Sequence, residues 1–227
     1  MKTERTTLVE PSLPARAGGR RTCLLGALGA AAGALLPATA RAGAQREEPL
    51  ADAVRTALAA AVSNSAPPKP GFETTEARLA YLRWLGDMST RLKKRTADHV
   101  TRVEFLETVW YESKRAGLEP GLVLGLIQVE SGFRKYAISM AGARGFMQVM
   151  PFWARLIGEG DALALFHMQT NLRLGCVILR HYLDIERGDL FMALGRYNGS
   201  RGRPEYPNLV FGARKTWDYQ QAPSAAA

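Results

Sequence analysis

Between Pro120 and Glu130 the chain reads PGLVLGLIQVE, apolar on nearly every side of a helix, and such a segment is stable only inside a core. Pro120 suits the first turn of a helix, and Glu119 beside it complements the positive helix end. The rod ends on Glu130, followed at once by Ser131 and Gly132. A polar, glycine-containing loop, SGFRKYAISMAGARG, leads into a second apolar segment opening FMQVMP. A carboxyl next to apolar packing loses hydration, which penalises its charged form, and the negative helix end acts in the same direction. Both effects hold the proton of Glu130 near neutral pH, as a general acid requires. The competing reading is an acid that merely closes a helix end and faces solvent.

The rest of the chain is helical in pattern. Residues 49–63 are Ala-rich, and Ser63–Glu73 is a linker broken by three prolines and a glycine. Thr74–Thr75 precede an amphipathic segment whose Leu79, Leu82, Leu85 and Met88 recur at three-residue steps. A further helix is predicted over Val103–Arg115, with Phe105, Leu106 and Val109 on its buried face. Pro151–Ile157, Gln169–Arg187 and Asp189–Tyr197 follow. No stretch alternates with period two and no repeat of fixed period occurs, so the fold class is all-α.

The N-terminus reads as an export signal over 1–44. Arg16, Arg20 and Arg21 precede the apolar run Cys23–Ala40, and small-residue cleavage patterns place the cut after Ala40, Ala42 or Ala44. Pro37 and the Ala/Gly richness weaken the alternative of an uncleaved anchor, which needs roughly 20 well-apolar residues. Arg20-Arg21 matches a twin-arginine signal only loosely. The expected location is the periplasm, with no stable membrane span after cleavage. Cleavage after Ala44 removes six of 30 basic and two of 21 acidic residues, leaving a charge of +5. That suits an anionic polymer or envelope surface, and equally suits simple solubility. Cys23 and Cys176 form no disulfide framework, and Cys176 inside an apolar helix reads as a small buried hydrophobe.

Around Glu130 the residues fall in register as E-S-x-F-x-x-x-A-x-S-x-x-G-A-x-G-F-M-Q-V-M-P, with Y-N-G at 197–199. This pattern resembles the soluble lytic transglycosylase domain, whose fold is lysozyme-like and related to goose-type lysozymes. The resemblance covers roughly Ala116–Trp217. It implies that Glu130 is the single catalytic acid/base and that Ser131, Ser139, Gln148, Met150 and Tyr197 line the sugar site, Tyr197 bonding near the catalytic group. It places Asn171 on a helix beneath the site, in a structural role. Each residue also has a plainer reading: the serines satisfy loop backbone, Met150 fills core, and Tyr197 is a buried tyrosine with any partner.

His167-Met168 and Phe152-Trp153 depart from the family pattern, at positions that line or support the groove. Tyr206, Pro207 and Val210 read as a variant of the family's Y-x-x-x-V ending. The implied organisation is an export signal (1–44), a helical N-terminal region with a Pro-rich linker (45–115) that matches no family, a lysozyme-like domain (116–217) and a disordered tail (218–227).

Most glycosidases use two carboxylates. The motif block contains no second one, and Asp184, Glu186 and Asp189 sit at or after a charged helix end that is expected to face solvent. The resemblance implies intramolecular chemistry instead: cleavage of the MurNAc–GlcNAc bond with a 1,6-anhydro product and no metal or cofactor. The implied partners are peptidoglycan glycan strands, with envelope or secretion machinery left open. RLKKR (Arg91–Arg95) lacks a nucleic-acid motif and reads as a solvated helix end, so nucleic acid is not expected. A hydrolytic muramidase and a non-catalytic glycan-binding protein remain as rivals.

Overall fold

The computed structural model describes Gln45 and residues 47–50, 52–63 and 70–219. The expected export signal with Cys23, residues 64–69 of the linker and residues 220–227 of the tail lie outside the described residues. What is described is all-α: α1 (Asp52–Ser63), α2 (Thr75–Leu92), α3 (His99–Arg115), α4 (Pro120–Glu130), α5 (Pro151–Ile157), α6 (Met168–Ile185), α7 (Leu190–Asn198) and α8 (Glu205–Arg214), with a 3-10 turn at Ala162–Phe166. Among the described residues no helix is long and apolar enough to cross a membrane.

α4 runs through the centre. Leu122, Val123, Leu124, Leu126 and Ile127 are all buried, and their transfer from water contributes on the order of 10 kcal/mol as an upper bound. α4 packs mainly on α8 and also on α3; α6 lies against α3 and α7, and α1 against α5 and α6. α4 approaches α8 tightly at Gly125, where a Cβ would stand 2.8 Å from the Arg214 backbone. Glycine there is a packing requirement.

Side-chain caps set the helix starts: Thr74 accepts from Ala77 N, Asp98 from Thr101 N and Asp189 from Met192 N. The buried stripe of α2 is Tyr81, Trp84, Met88 and Leu92, whereas Leu79 and Leu82 are 46% and 47% exposed. The three-residue periodicity therefore misplaces this face. Steps of three fall short of a 3.6-residue turn and drift around the helix, while alternating steps of three and four hold one side.

The helices before residue 116 share one core with those after it. Arg102 ties α2 to α3 through Ser89 Oγ (2.9 Å) and the carbonyls of Thr96 (2.7 Å) and Ala97 (2.9 Å). The Glu112 carboxylate, 1% exposed, joins α3 to α6 by pairing with Arg173 at 3.0 Å. Arg115 reaches the Ala61 carbonyl of α1. Cys176 is buried and free, with burial pushing its thiol pKa up.

Candidate active site

Glu130 is the last residue of α4 and is 5% exposed. Burial pushes its carboxyl from the ordinary 4.5 up to about 8; a hydrogen bond from Tyr206 acts the other way and is the smaller effect. Tyr206, on α8, donates its hydroxyl to Oε1, while Oε2 is buried with no hydrogen-bond partner. A neutral acid at this position therefore carries its proton on Oε2, with Oε1 fixed by the tyrosine. The solvent-facing reading of Glu130 does not fit this burial.

The loop between Glu130 and α5 is irregular but tied together by backbone hydrogen bonds. Gly145 N donates to Ala137 O at 2.9 Å, and Arg144 and Val149 exchange two backbone bonds of 3.0 Å. Asn171 of α6 pins the far side. Its Oδ1 accepts from Met147 N (2.8 Å), and its Nδ2 donates to Arg144 O (2.9 Å) and Leu165 O (2.8 Å). A Cβ on Gly145, whose φ is 76°, would stand 2.3 Å from Asn171 Nδ2. Backbone angle and space both demand glycine there.

The residues expected to touch sugar divide into two groups. Ser139 and Met150 are half-buried, as groove-lining side chains would be. The Ser139 hydroxyl accepts from Ala143 N at 3.1 Å, and Met150 opens α5. Ser131, Gln148 and Tyr197 are buried and turned to the loop backbone instead. Ser131 Oγ donates its single proton to Phe146 O (2.7 Å), with Ile127 O at 3.2 Å as the weaker alternative acceptor. Gln148 Nε2 donates to Ala137 O (3.1 Å) and Gly145 O (2.9 Å). These bonds offset a left-handed backbone at Gln148 (φ 49°) that costs a non-glycine residue ~1 kcal/mol. Tyr197 donates to Met147 O at 2.7 Å. The tyrosine bonded to the acid is thus Tyr206 rather than Tyr197. The inner side of the loop leaves carbonyls without helical partners, and these three side chains donate to them.

Residues 107–219 match the family model described as Transglycosylase SLT domain. The chain belongs to this family. The SLT segment is 38% identical over 84 residues to membrane-bound lytic murein transglycosylase C of Actinobacillus pleuropneumoniae serotype 5b (strain L20), a match covering 34% of this chain and 23% of that protein. It is 33% identical over 104 residues to the transglycosylase of Enterobacteria phage PRD1, covering 46% of this chain and 38% of the phage protein. Among solved structures, an inactive mutant of lytic transglycosylase Slt from Pseudomonas aeruginosa superposes with TM-score 0.40 and 22% identity, over 62% of this chain and 27% of that one. The chain thus spans only about a quarter to two-fifths of these curated relatives.

Two residues that sequence reading left without a role at the site have buried polar groups. Tyr206 is one, and its signal was the Y-x-x-x-V spacing: Tyr206 and Val210 are both buried, one helical turn apart on α8. Asn198 is the other. It is 7% exposed, donates through Nδ2 to Ser200 Oγ at 3.1 Å, and leaves Oδ1 buried without a partner. The departures from the family pattern at Phe152 and Trp153 are buried supports, Trp153 lying 6.1 Å from the Tyr182 ring on α6.

The three carboxylates considered as a second acid have other partners. Asp184 pairs with Arg180 at 2.6 Å, and Asp189 caps α7. Glu186 does not face solvent as expected: its side chain is 7% exposed and bonded to Arg196 and Arg201. Those bonds, Arg201 foremost, pull its carboxyl down to about 2 against the opposing effect of burial.

Proposed function

We propose that this protein is an exported peptidoglycan lytic transglycosylase that cuts the MurNAc–GlcNAc β-1,4 bond with Glu130 as its only general acid/base. The observation that carries this reading is the state of Glu130: buried, protonated to about pH 8, held on Oε1 by Tyr206 and free on Oε2. The names of the relatives, murein transglycosylases, give the substrate class.

In this reading Glu130 Oε2 gives its proton to the glycosidic oxygen as the bond from C1 breaks. The muramic acetamido oxygen closes on C1 and supports the developing positive charge. The 6-hydroxyl of the same sugar then attacks C1, the acetamido oxygen leaves, and the hydroxyl proton returns to Glu130. Water is neither consumed nor released, and the product ends in a 1,6-anhydro ring. Attack by a group already on the sugar is effectively unimolecular, worth several kcal/mol, on the order of the lower end of measured effective molarities. It removes the need for the second carboxylate that hydrolysis uses. Export to the periplasm through a cleaved signal in 1–44 belongs to the same proposal, since the substrate lies outside the cytoplasm.

Mass spectrometry of glycans released from purified sacculi tests the reading. Anhydro-muramic ends are expected, and Glu130→Gln should abolish their release. Reducing muramic ends would make the protein a hydrolytic muramidase, and sacculus binding with no turnover at any pH would make it a glycan-binding protein.

A further inference from the structure

The cationic run RLKKR (Arg91–Arg95) has no use in the site described so far, and the structure divides it. Arg91 is taken up by its own neighbours, with Asp87 at 2.6 Å and the carbonyls of Thr216 (2.8 Å) and Asp218 (3.1 Å). Lys93, Lys94 and Arg95 are exposed, and none has a carboxylate partner among the described residues. The next acid along the chain, Asp98, is committed to Thr101 N as the cap of α3.

The turn after α2 meets the loop that follows Glu130. The Arg95 guanidinium lies over the Phe133 ring, 5.5 Å from its centre, and Phe133 is itself buried against Phe105 of α3. Arg134 and Lys135 come next, both exposed and likewise without a carboxylate among the described residues. Arg134 uses only Nε internally, on Ser131 O at 2.9 Å, and Lys135 Nζ lies 5.4 Å from the centre of the Tyr136 ring. Two basic segments remote in sequence therefore join into one surface of unpaired cations. A single exposed cation is ordinary, but several together raise the local positive potential and favour an anionic partner.

The kind of partner follows from where the surface lies. Arg134 stands between Glu130 and Ser139, on the loop that walls the site. Its Cα is at most ~15 Å from that of Glu130, at ~3.8 Å per residue. An extended peptide of about five residues spans ~17 Å. Peptidoglycan carries a short peptide on its muramic sugars, and the carboxylates of that peptide make it acidic. A glycan bound at Glu130 brings those carboxylates within reach of the cations, and the terminal N–H groups of Arg134 suit a carboxylate. An anionic lipid surface matches the charge equally well, but not the place beside the sugar loop.

We propose that Lys93, Lys94, Arg95, Arg134 and Lys135 form a docking surface for the acidic peptide stem of the glycan, so that peptide-bearing strands bind ahead of bare ones. This rests on the reading of the site as glycan-cleaving. It gives the turn after α2, which precedes the SLT match, a part in substrate selection.

The test uses the full chain carrying Glu130→Gln, so that ligand is not turned over. Two oligomers with the same number of sugars are titrated by calorimetry at low salt: a peptide-bearing fragment of peptidoglycan and a neutral N-acetylglucosamine chain. The first should bind more tightly. The side chains of Lys93, Lys94 and Lys135 make no hydrogen bond or ion pair among the described residues, so their replacement leaves the packing in place. Lys93→Gln, Lys94→Gln and Lys135→Gln together should weaken the peptide-bearing oligomer about eightfold, a factor of about two for each exposed charge pair, and leave the neutral one within about twofold. High salt should erase the difference, and Arg at the same three positions should restore the parent affinity. Equal affinity of the parent for the two oligomers, or a loss in the Gln variant that is absent or equal for both, would overturn the proposal. So would charge-dependent binding to anionic phospholipid vesicles with none to the peptide-bearing oligomer, which would make the surface a membrane contact. If the unmodified protein still releases glycans from sacculi in any of those cases, the proposed function stands and only this inference fails. If it releases none and, as Glu130→Gln, binds neither oligomer, both fall.

Discussion

The Tyr206 hydroxyl donates to Oε1 of Glu130 across the contact between α8 and α4, and Oε2 is left buried and unpartnered. The bond lowers the pKa of an acid that burial has raised, so Tyr206 sets where the acid titrates as well as where it points.

Tyr206→Phe should therefore move the alkaline limb of the activity profile. The wild-type rate is expected to fall as Glu130 loses its proton near pH 8. Without the hydroxyl only the raising effect remains, and the limb should shift upward by roughly one to two pH units. Maximal rate should fall at the same time, because Oε1 is no longer held. Initial rates of sacculus solubilisation between pH 5 and 10 measure both. A limb that stays in place would show that Glu130 is not the group titrating there.

Stability should carry the same signature. In the unfolded chain Glu130 loses its proton near 4.5, and in the folded protein near 8. Between those values the native state binds the extra proton, so stability falls as pH rises through this window. The contribution is complete below 4.5 and gone above 8. Glu130→Gln removes this dependence, and its melting temperature should exceed that of the wild type by a margin that widens from pH 5 to pH 8. A constant margin would contradict the raised pKa.

These relations bear on what a sequence discloses. The apolar packing of α4 and the cap at Thr74 were legible because they depend on neighbours within a few residues, whereas the cap at Asp98, which starts α3 at His99 rather than at the expected Val103, was not read. The position of Glu130 at the helix end was legible for the same reason. The partner of Glu130 was not, since Tyr206 lies 76 residues away and reaches it only through the packing of α8. Ser131 and Gln148 show a different limit. Polar residues beside a catalytic acid read equally well as ligand contacts or as braces, and the choice depends on which loop carbonyls need donors.

Gly125→Ala tests the contact that brings Tyr206 to Glu130. The new Cβ would lie 2.8 Å from the Arg214 Cα and N, backbone atoms that move only with α8 itself. A loss of about 1–3 kcal/mol in stability is expected from overpacking. Activity should fall further than stability does, because a shift of α8 separates Tyr206 from the acid. Denaturant melts and turnover measured on the same preparation separate the two effects. Full activity in a destabilised protein would show that α8 can move without loosening the site.

Asn171 tests whether the loop must be held from beneath. Asn171→Ala removes one acceptor and two donor bonds at once, leaving Met147 N and the Leu165 carbonyl without their partner and the Arg144 carbonyl with Val149 N alone. The penalty for such groups is about 1–3 kcal/mol each, less wherever water enters the space, so a net loss of roughly 2–4 kcal/mol is expected. Met147 also accepts the Tyr197 hydroxyl, so loosening it loosens the wall beside Glu130. Turnover should drop by about tenfold or more at temperatures well below the melt. Asn171→Asp separates the two kinds of bond: it keeps an acceptor for Met147 N but sets a second oxygen against two carbonyls. It should be no better than Asn171→Ala. Near-normal turnover in Asn171→Asp would place the whole requirement on the Met147 bond.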